Sequence, residues 1–120
     1  MADDGIKIVI GIDLGDKQSD LCVIDRSTGE LSKMRVRTTP DWFTKVLGGF
    51  TDVRSALEVG THSPWVSRLL ADLGHEVVVA NPRMLPLIYA GKNKDDGADC
   101  EKLAHLADVK PGLLSPIDHR

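Results

Sequence analysis

IVIGIDLGDKQSDLCVID, residues 8–25, decides the fold. Its β-branched run, Ile8, Val9, Ile10 and Ile12, ends on a carboxylate, Asp13, and then on Gly15. The polar link Asp16-Lys17-Gln18-Ser19 follows, and a second apolar run, Leu21-Cys22-Val23-Ile24, leads into Asp25. Runs of this kind bounded by turn residues read as buried strands, and two across a short polar link read as a hairpin. A carboxylate at the end of a buried strand is costly unless a metal, a hydrogen-bond network or solvent satisfies it. Asp13 is therefore the first candidate functional residue.

Outward from the hairpin, Ile6–Asp13 and Asp20–Asp25 are the first two predicted strands, and Glu30–Thr38 is a third with one wet face. Thr39-Pro40 reads as a helix cap followed by proline at the first helical position. Phe43, Val46, Leu47 and Phe50 fall at i, i+3, i+4 and i+7, so the spacing predicts an amphipathic helix from Pro40 to Gly48, ended by Gly48-Gly49. Val53–Val59 is a fourth strand carrying Glu58 near its end. Ser63-Pro64 repeats the cap-plus-proline pattern, Val66, Leu69, Leu70 and Leu73 form the stripe, and Gly74 closes that helix. His75–Ala80 is a fifth strand, stopped by Asn81-Pro82. A short helix over Pro82–Tyr89, a basic polar loop over Gly91–Asp95 and a last helix over Gly97–Val109 complete the pattern.

Strands joined by short turns pair antiparallel, whereas strand-helix-strand crossovers give parallel neighbours. The order βββαβαβ plus a C-terminal helix therefore predicts an α/β domain with a five-stranded mixed sheet. This is the strand order of the ribonuclease H fold, in which the fourth strand lies beside the first. Asp13 and Glu58 then end adjacent parallel strands roughly 4.8 Å apart, where open α/β sheets place their sites. Asp96 and Asp99, three apart at the start of the last helix, share a face. Asp13, Glu58, Asp96 and Asp99 form an oxygen-only set suited to Mg²⁺ or Mn²⁺, and paired ions of that type stabilise the attacking and leaving oxygens of a phosphodiester. Each residue also has a plainer reading: a turn aspartate for Asp13, a solvated strand end for Glu58, helix capping for Asp95, Asp96 and Asp99. Their joint placement on one fold favours the site. His62, His75, His105 and His119 lack metal-ligand spacing and read as surface or cap residues, and Ser63 and Ser115 lack a nucleophile-elbow context.

Composition narrows the function classes. With 42% hydrophobic and 28% charged residues in 120, the chain reads as one soluble globular domain. No apolar run approaches the roughly 20 residues of a membrane span, and the acidic N-terminus MADDG is not signal-like. Cys22 and Cys100 lie far apart without a CxxC pair, which argues against a disulfide scaffold or zinc knuckle and predicts a cytoplasmic location. A net charge of −3 gives no global basic footprint, so nucleic-acid contact falls to local groups. The candidates are Lys92 and Lys94 beside the proposed metal site, and Arg35 and Arg37 alternating on the third strand. The two arginines read equally as solvated strand residues.

Three stretches carry a family resemblance: GIDLGDKQSDLCVID (residues 11–25), ALEVGTHSPWVSRLLADLGHEVVVANPRMLPLI (56–88) and DGADCEKLAHLADVKPGLLSPIDHR (96–120). Together they resemble the N-terminal domain of the DEDD-type insertion-sequence transposases, recombinases whose target choice is directed by a bridge RNA. The resemblance implies a RuvC-like domain of the ribonuclease H fold, with a catalytic metal set at Asp13, Glu58, Asp96 and Asp99 holding Mg²⁺ or Mn²⁺. It also implies DNA transposition by strand cleavage and exchange. Its partners would be DNA at element ends and target, a guide RNA, and further copies of the full-length protein. Gly97-Ala98 replace the family's usual basic and bulky pair between the last two aspartates, and Cys100 replaces an alanine, which leaves Asp95 or Asp96 as the third ligand. Family members continue into a C-terminal domain bearing a serine nucleophile, whereas this sequence stops at Arg120. The expectation is a single N-terminal domain, inactive alone.

Two other classes compete. The sugar-kinase, actin and heat-shock ATPase superfamily opens with a strand and an Asp-x-Gly loop, as in Gly11–Gly15, but Asp16 and Lys17 stand where threonine or serine is usual, and 120 residues leave no room for a second lobe. A metal-free ribonuclease H-like module that only dimerises or binds RNA is the third reading. Metal titration and nucleotide binding separate the three.

Overall fold

The computed structural model describes residues 4–80 and 100–109. Its strands are β1 (Ile8–Asp13), β2 (Gln18–Asp25), β3 (Leu31–Arg37), β4 (Val53–Glu58) and β5 (Glu76–Ala80). The helices are α1 (Pro40–Leu47), α2 (Ser63–Asp72) and α3 (Cys100–Val109). The strands form one sheet in the order β3-β2-β1-β4-β5. β1, β2 and β3 pair antiparallel, and β4 pairs parallel with both β1 and β5. This is the mixed ribonuclease H-like sheet that the sequence predicts. β2 starts two residues earlier than expected, because Gln18 and Ser19 already pair with Arg37 and Val36 of β3.

Strand alternation splits the core into two layers. Val9 of β1, Cys22 and Ile24 of β2 and Ala56 of β4 pack with Cys100, Leu103, Ala104 and Ala107 of α3. On the other face, Ile10, Ile12, Leu21 and Leu57 pack with Phe43 and Leu47 of α1 and Val66 and Leu70 of α2. Asp13 and Glu58, in step with Val9 and Ala56, belong to the α3 face. Gly11 lets α3 approach at backbone distance: a Cβ there would lie 2.0 Å from Cys100 O and 2.6 Å from Ala104 N.

α1 starts as the sequence predicts. Thr39 caps it by accepting from the Trp42 N–H, and Pro40 opens the first turn. α2 differs: His62 holds the cap position without a side-chain cap bond. Ser63 is instead the first helical residue, its Oγ donating to Gly60 O at 2.9 Å and accepting from Gly60 N at 3.0 Å. Gly74, at φ +93°, closes α2, with its N–H on Ala71 O and the His75 N–H on Leu70 O, the bonds that satisfy the last helical carbonyls.

His75 corrects its reading as a surface or cap residue, for it is 6% exposed. Its Nε2 lies 2.9 Å from Leu47 O and its Nδ1 2.6 Å from Ser55 Oγ. A carbonyl only accepts, so Nε2 carries the proton, and the Ser55 hydroxyl donates to Nδ1. Burial pushes the imidazole pKa down, with the Leu47 carbonyl partly opposing it. Both cysteines are buried. Among the described residues no helix is long and apolar enough to cross a membrane. The expected helix over 82–89, the loop over 91–95 and residues 97–99 of the last expected helix lie outside the described residues.

Candidate metal centre at the carboxyl end of the sheet

Asp13 is the last residue of β1 and Glu58 the last of β4. The parallel register Ile12↔Leu57 carries the two side by side, and both are half-buried. Glu58 shows the consequence. Burial first, and then the charge of Asp13, push its carboxyl above the ordinary glutamate value. Two carboxylates that resist ionising together are what a hard divalent cation relieves. Oxygen donors at the open end of a sheet suit Mg²⁺ or Mn²⁺, so these two residues fit the expected ion. Asp96 and Asp99 lie outside the described residues, and among those described no group of three or more metal-ligating side chains occurs.

The strand ends are held by their loops. The Gly15 N–H donates to Ser19 Oγ at 3.3 Å, and Thr38 Oγ1 donates to Gly15 O at 2.7 Å. Ser19 is thereby left to donate to Thr38 Oγ1, 2.6 Å away. Gly15 is required there, because a Cβ would meet Gln18 O at 2.3 Å. A second tie joins the loop after β1 to the loop after β4. Trp65 Nε1 donates to His62 Nδ1 at 3.0 Å, so the His62 proton sits on Nε2, 3.2 Å from Asp16 Oδ1.

Asp20 is a site neighbour that sequence reasoning missed. It stands directly opposite Asp13 in the β1–β2 ladder, and like charges so placed repel. Arg35, its partner on β3, offsets this with Nε 2.8 Å from Asp20 Oδ1. Arg35 is thus an exposed, ion-paired residue. Arg37 lines a groove of about 440 Å³ with Asp16, Lys17, Gln18, Thr38 and Thr39. Neither Arg37 nor Lys17 makes an ion pair among the described residues. Lys92 and Lys94 lie outside the described residues. Strand alternation puts Asp20 on the face of Cys22 and Ile24, but facing it to Asp13 requires the hairpin register. His62 and Lys17 carried no sequence signal beyond following Glu58 and Asp13 by four residues.

A family model for DEDD-type transposases, described as "Transposase", matches residues 10–120. No curated protein matches the chain. Among solved structures, RuvC of T. thermophilus in complex with a Holliday junction substrate is 18% identical, over 94% of this chain and 82% of that chain, with a TM-score of 0.48. A second Thermus thermophilus RuvC structure is 19% identical, over 94% and 83%, with a TM-score of 0.45. An inorganic polyphosphate/ATP-glucomannokinase from Arthrobacter sp. strain KM is 20% identical over 65% of this chain, with a TM-score of 0.39. The chain spans 45% of that kinase's length.

Proposed function

The chain belongs to the DEDD-type transposase family, and from that premise we propose that it is the metal-binding catalytic domain of a DNA transposase acting by strand cleavage and exchange. The observation that carries this reading is the pairing of Asp13 with Glu58 on one sheet face, with the Glu58 carboxyl pushed up by burial and by Asp13. Asp13 and Glu58 would hold Mg²⁺ or Mn²⁺ with Asp96 and Asp99, which the family motif supplies, Asp95 being the alternative to Asp96. When bound, the ion supplies charge stabilisation at the scissile phosphate and lowers the pKa of an attacking oxygen.

The residues in hand do the rest. Asp13 and Glu58, fixed on adjacent strands, set the donor spacing without needing to rearrange, and preorganised donors of this kind supply much of a catalytic site's advantage. The hydroxyl ring of Ser19 and Thr38 and the His62–Asp16 tie hold the two loops that follow those strands. Lys17 and Arg37 offer cations to nucleic-acid phosphates along their groove. Lys92 and Lys94, a few residues before Asp95 and Asp96 in sequence, would add to that role, and Arg35 joins them only by releasing Asp20. Contacts of this class carry affinity but no sequence, which suits a domain whose target choice comes from a guide RNA.

In this reading the serine for strand exchange comes from a second domain, and the full-length protein works as an oligomer on DNA. The test is strand exchange by this domain joined to a serine-bearing family partner domain in cis, with guide RNA and DNA ends supplied. Divalent-dependent exchange is expected, abolished by Asp13→Ala or Glu58→Ala. Sequence-directed cleavage by residues 1–120 alone, lost in Asp13→Ala, would overturn the division of labour.

A further inference from the structure

α3 is held on the sheet at both ends. At its start, the Cys100 and Ala104 backbone rests on Gly11, two residues before Asp13 on β1. The chain enters α3 there, one residue after Asp99. At its other end, two arginines grip the last turn. Arg54, 4% exposed, donates from Nη1 to Ala107 O at 2.8 Å, from Nη2 to Asp4 Oδ2 at 2.6 Å, and from Nε to Glu76. Arg26 donates from Nη2 to Asp108 O at 2.7 Å, from Nε to Asp108 Oδ1 at 2.6 Å, and from Nη1 to Asp4 Oδ1 at 2.8 Å. Asp4 therefore bridges both guanidiniums, and its Oδ1 also accepts from the Ile6 N–H at 3.0 Å.

The last carbonyls of a helix have no partner within it, and its C-terminus attracts cations. The arginines meet both needs, but so would water and one surface lysine. A guanidinium withdrawn this far from solvent carries a desolvation cost that a packed apolar side chain would avoid. What the two rigid forks add is location. Four donors on two successive carbonyls and on the shared Asp4 fix where α3 sits along its axis and how it is turned. A helix transmits that setting to its far end as a rigid rod.

We propose that Arg26, Arg54 and Asp4 are positioning residues for the metal centre. They touch neither Asp13 nor Glu58. By clamping the C-terminal end of α3 they set how its N-terminal end rests on Gly11 of β1, two residues before Asp13, and so set divalent-ion affinity. The inference rests on the metal reading above.

The test is calorimetric titration of Mn²⁺ into the chain and into Arg54→Lys, Arg26→Lys and Asp4→Asn. Leu70→Ala is the control, for Leu70 is fully buried on the opposite face of the sheet, so its loss destabilises the fold without reaching α3. Clamp variants that fold by circular dichroism are expected to bind Mn²⁺ roughly 10-fold more weakly, as when outer-shell supports of metal ligands are removed. Leu70→Ala should melt lower with unchanged affinity. If Arg54→Lys does not fold, Asp4→Asn decides, since Asp4 is partly exposed. Wild-type affinity in folded clamp variants, or an equal loss in Leu70→Ala, would overturn the clamp while leaving the metal reading intact. No Mn²⁺ binding by the wild-type chain would overturn both.

Discussion

Gly11→Ala probes the contact on which the whole α3 face depends. The new methyl carbon would sit 2.0 Å from Cys100 O, 2.6 Å from Ala104 N and 3.0 Å from Ala104 Cβ, where ordinary contact begins near 3.4 Å. The two tightest neighbours are main-chain atoms, which cannot rotate away. α3 must therefore retreat by about 1.4 Å at its start, loosening Leu103, Ala104 and Ala107 against the sheet. Overpacking of this kind costs about 1–3 kcal/mol. For a domain of this size that is a fall in melting temperature of roughly 5–15 °C. Displacement on the order of 1 Å at reacting groups costs about 10²-fold in rate, so strand exchange should suffer more than stability. The assay is thermal unfolding of Gly11→Ala beside Gly49→Ala, where an added Cβ meets nothing within 4 Å and the change should stay within about 0.5 kcal/mol. A Gly11→Ala protein that melts with wild type and binds Mn²⁺ as well would refute the close docking of α3.

Three further outcomes follow. In metal-free buffer Glu58→Gln should be more stable than wild type above the ordinary glutamate range: a carboxyl whose folded pKa is raised loses stability as pH rises through that value, and glutamine removes the loss. Urea titrations across pH would check this, and a wild type that gains relative stability with pH would contradict it. Acid should weaken the fold in the opposite sense, because Asp4 is held low chiefly by the Ile6 N–H and then Arg54, Asp25 by Ser27, and Glu101 by Lys33. Their stabilisation is present above the ordinary carboxylate range of about 4 and is lost as pH falls through the lowered values, measurable as a drop in urea midpoint below that range. Phe43→Ala, which empties a fully buried site tilted against Trp65 at a centroid distance of 5.7 Å, should cost about 3–5 kcal/mol by chemical denaturation. A loss below about 1 kcal/mol would mean that the α1 face is not the packed core described.

What the sequence disclosed was whatever local periodicity encodes. The hairpin, the stripe of Phe43 and Leu47, and the Thr39-Pro40 helix start depend on neighbours within a few residues, and all three appear in the structure. Asp13 and Glu58 were legible because strand order alone brings two strand ends together. The misreadings and the omissions share a cause. Ser63 shares with Thr39 a hydroxyl and a following proline, but a serine hydroxyl bonds equally well back into a preceding turn, here at Gly60. His75 takes its partners from Ser55 and Leu47, and Arg54 from Asp4, Glu76 and Ala107, none near in sequence. Asp20 needs a register before it can face Asp13. Asp96 and Asp99 rest on the family motif, since they lie outside the described residues.

The central claim is that Asp13 and Glu58 form half of a divalent-metal site, and the most direct measurement is calorimetric titration of Mn²⁺ into the wild-type chain, Asp13→Asn and Glu58→Gln under one set of conditions. Saturable binding by wild type at millimolar Mn²⁺ or below, lost in both variants, is the predicted result. No binding by wild type in that range, or binding that survives both substitutions, would contradict it.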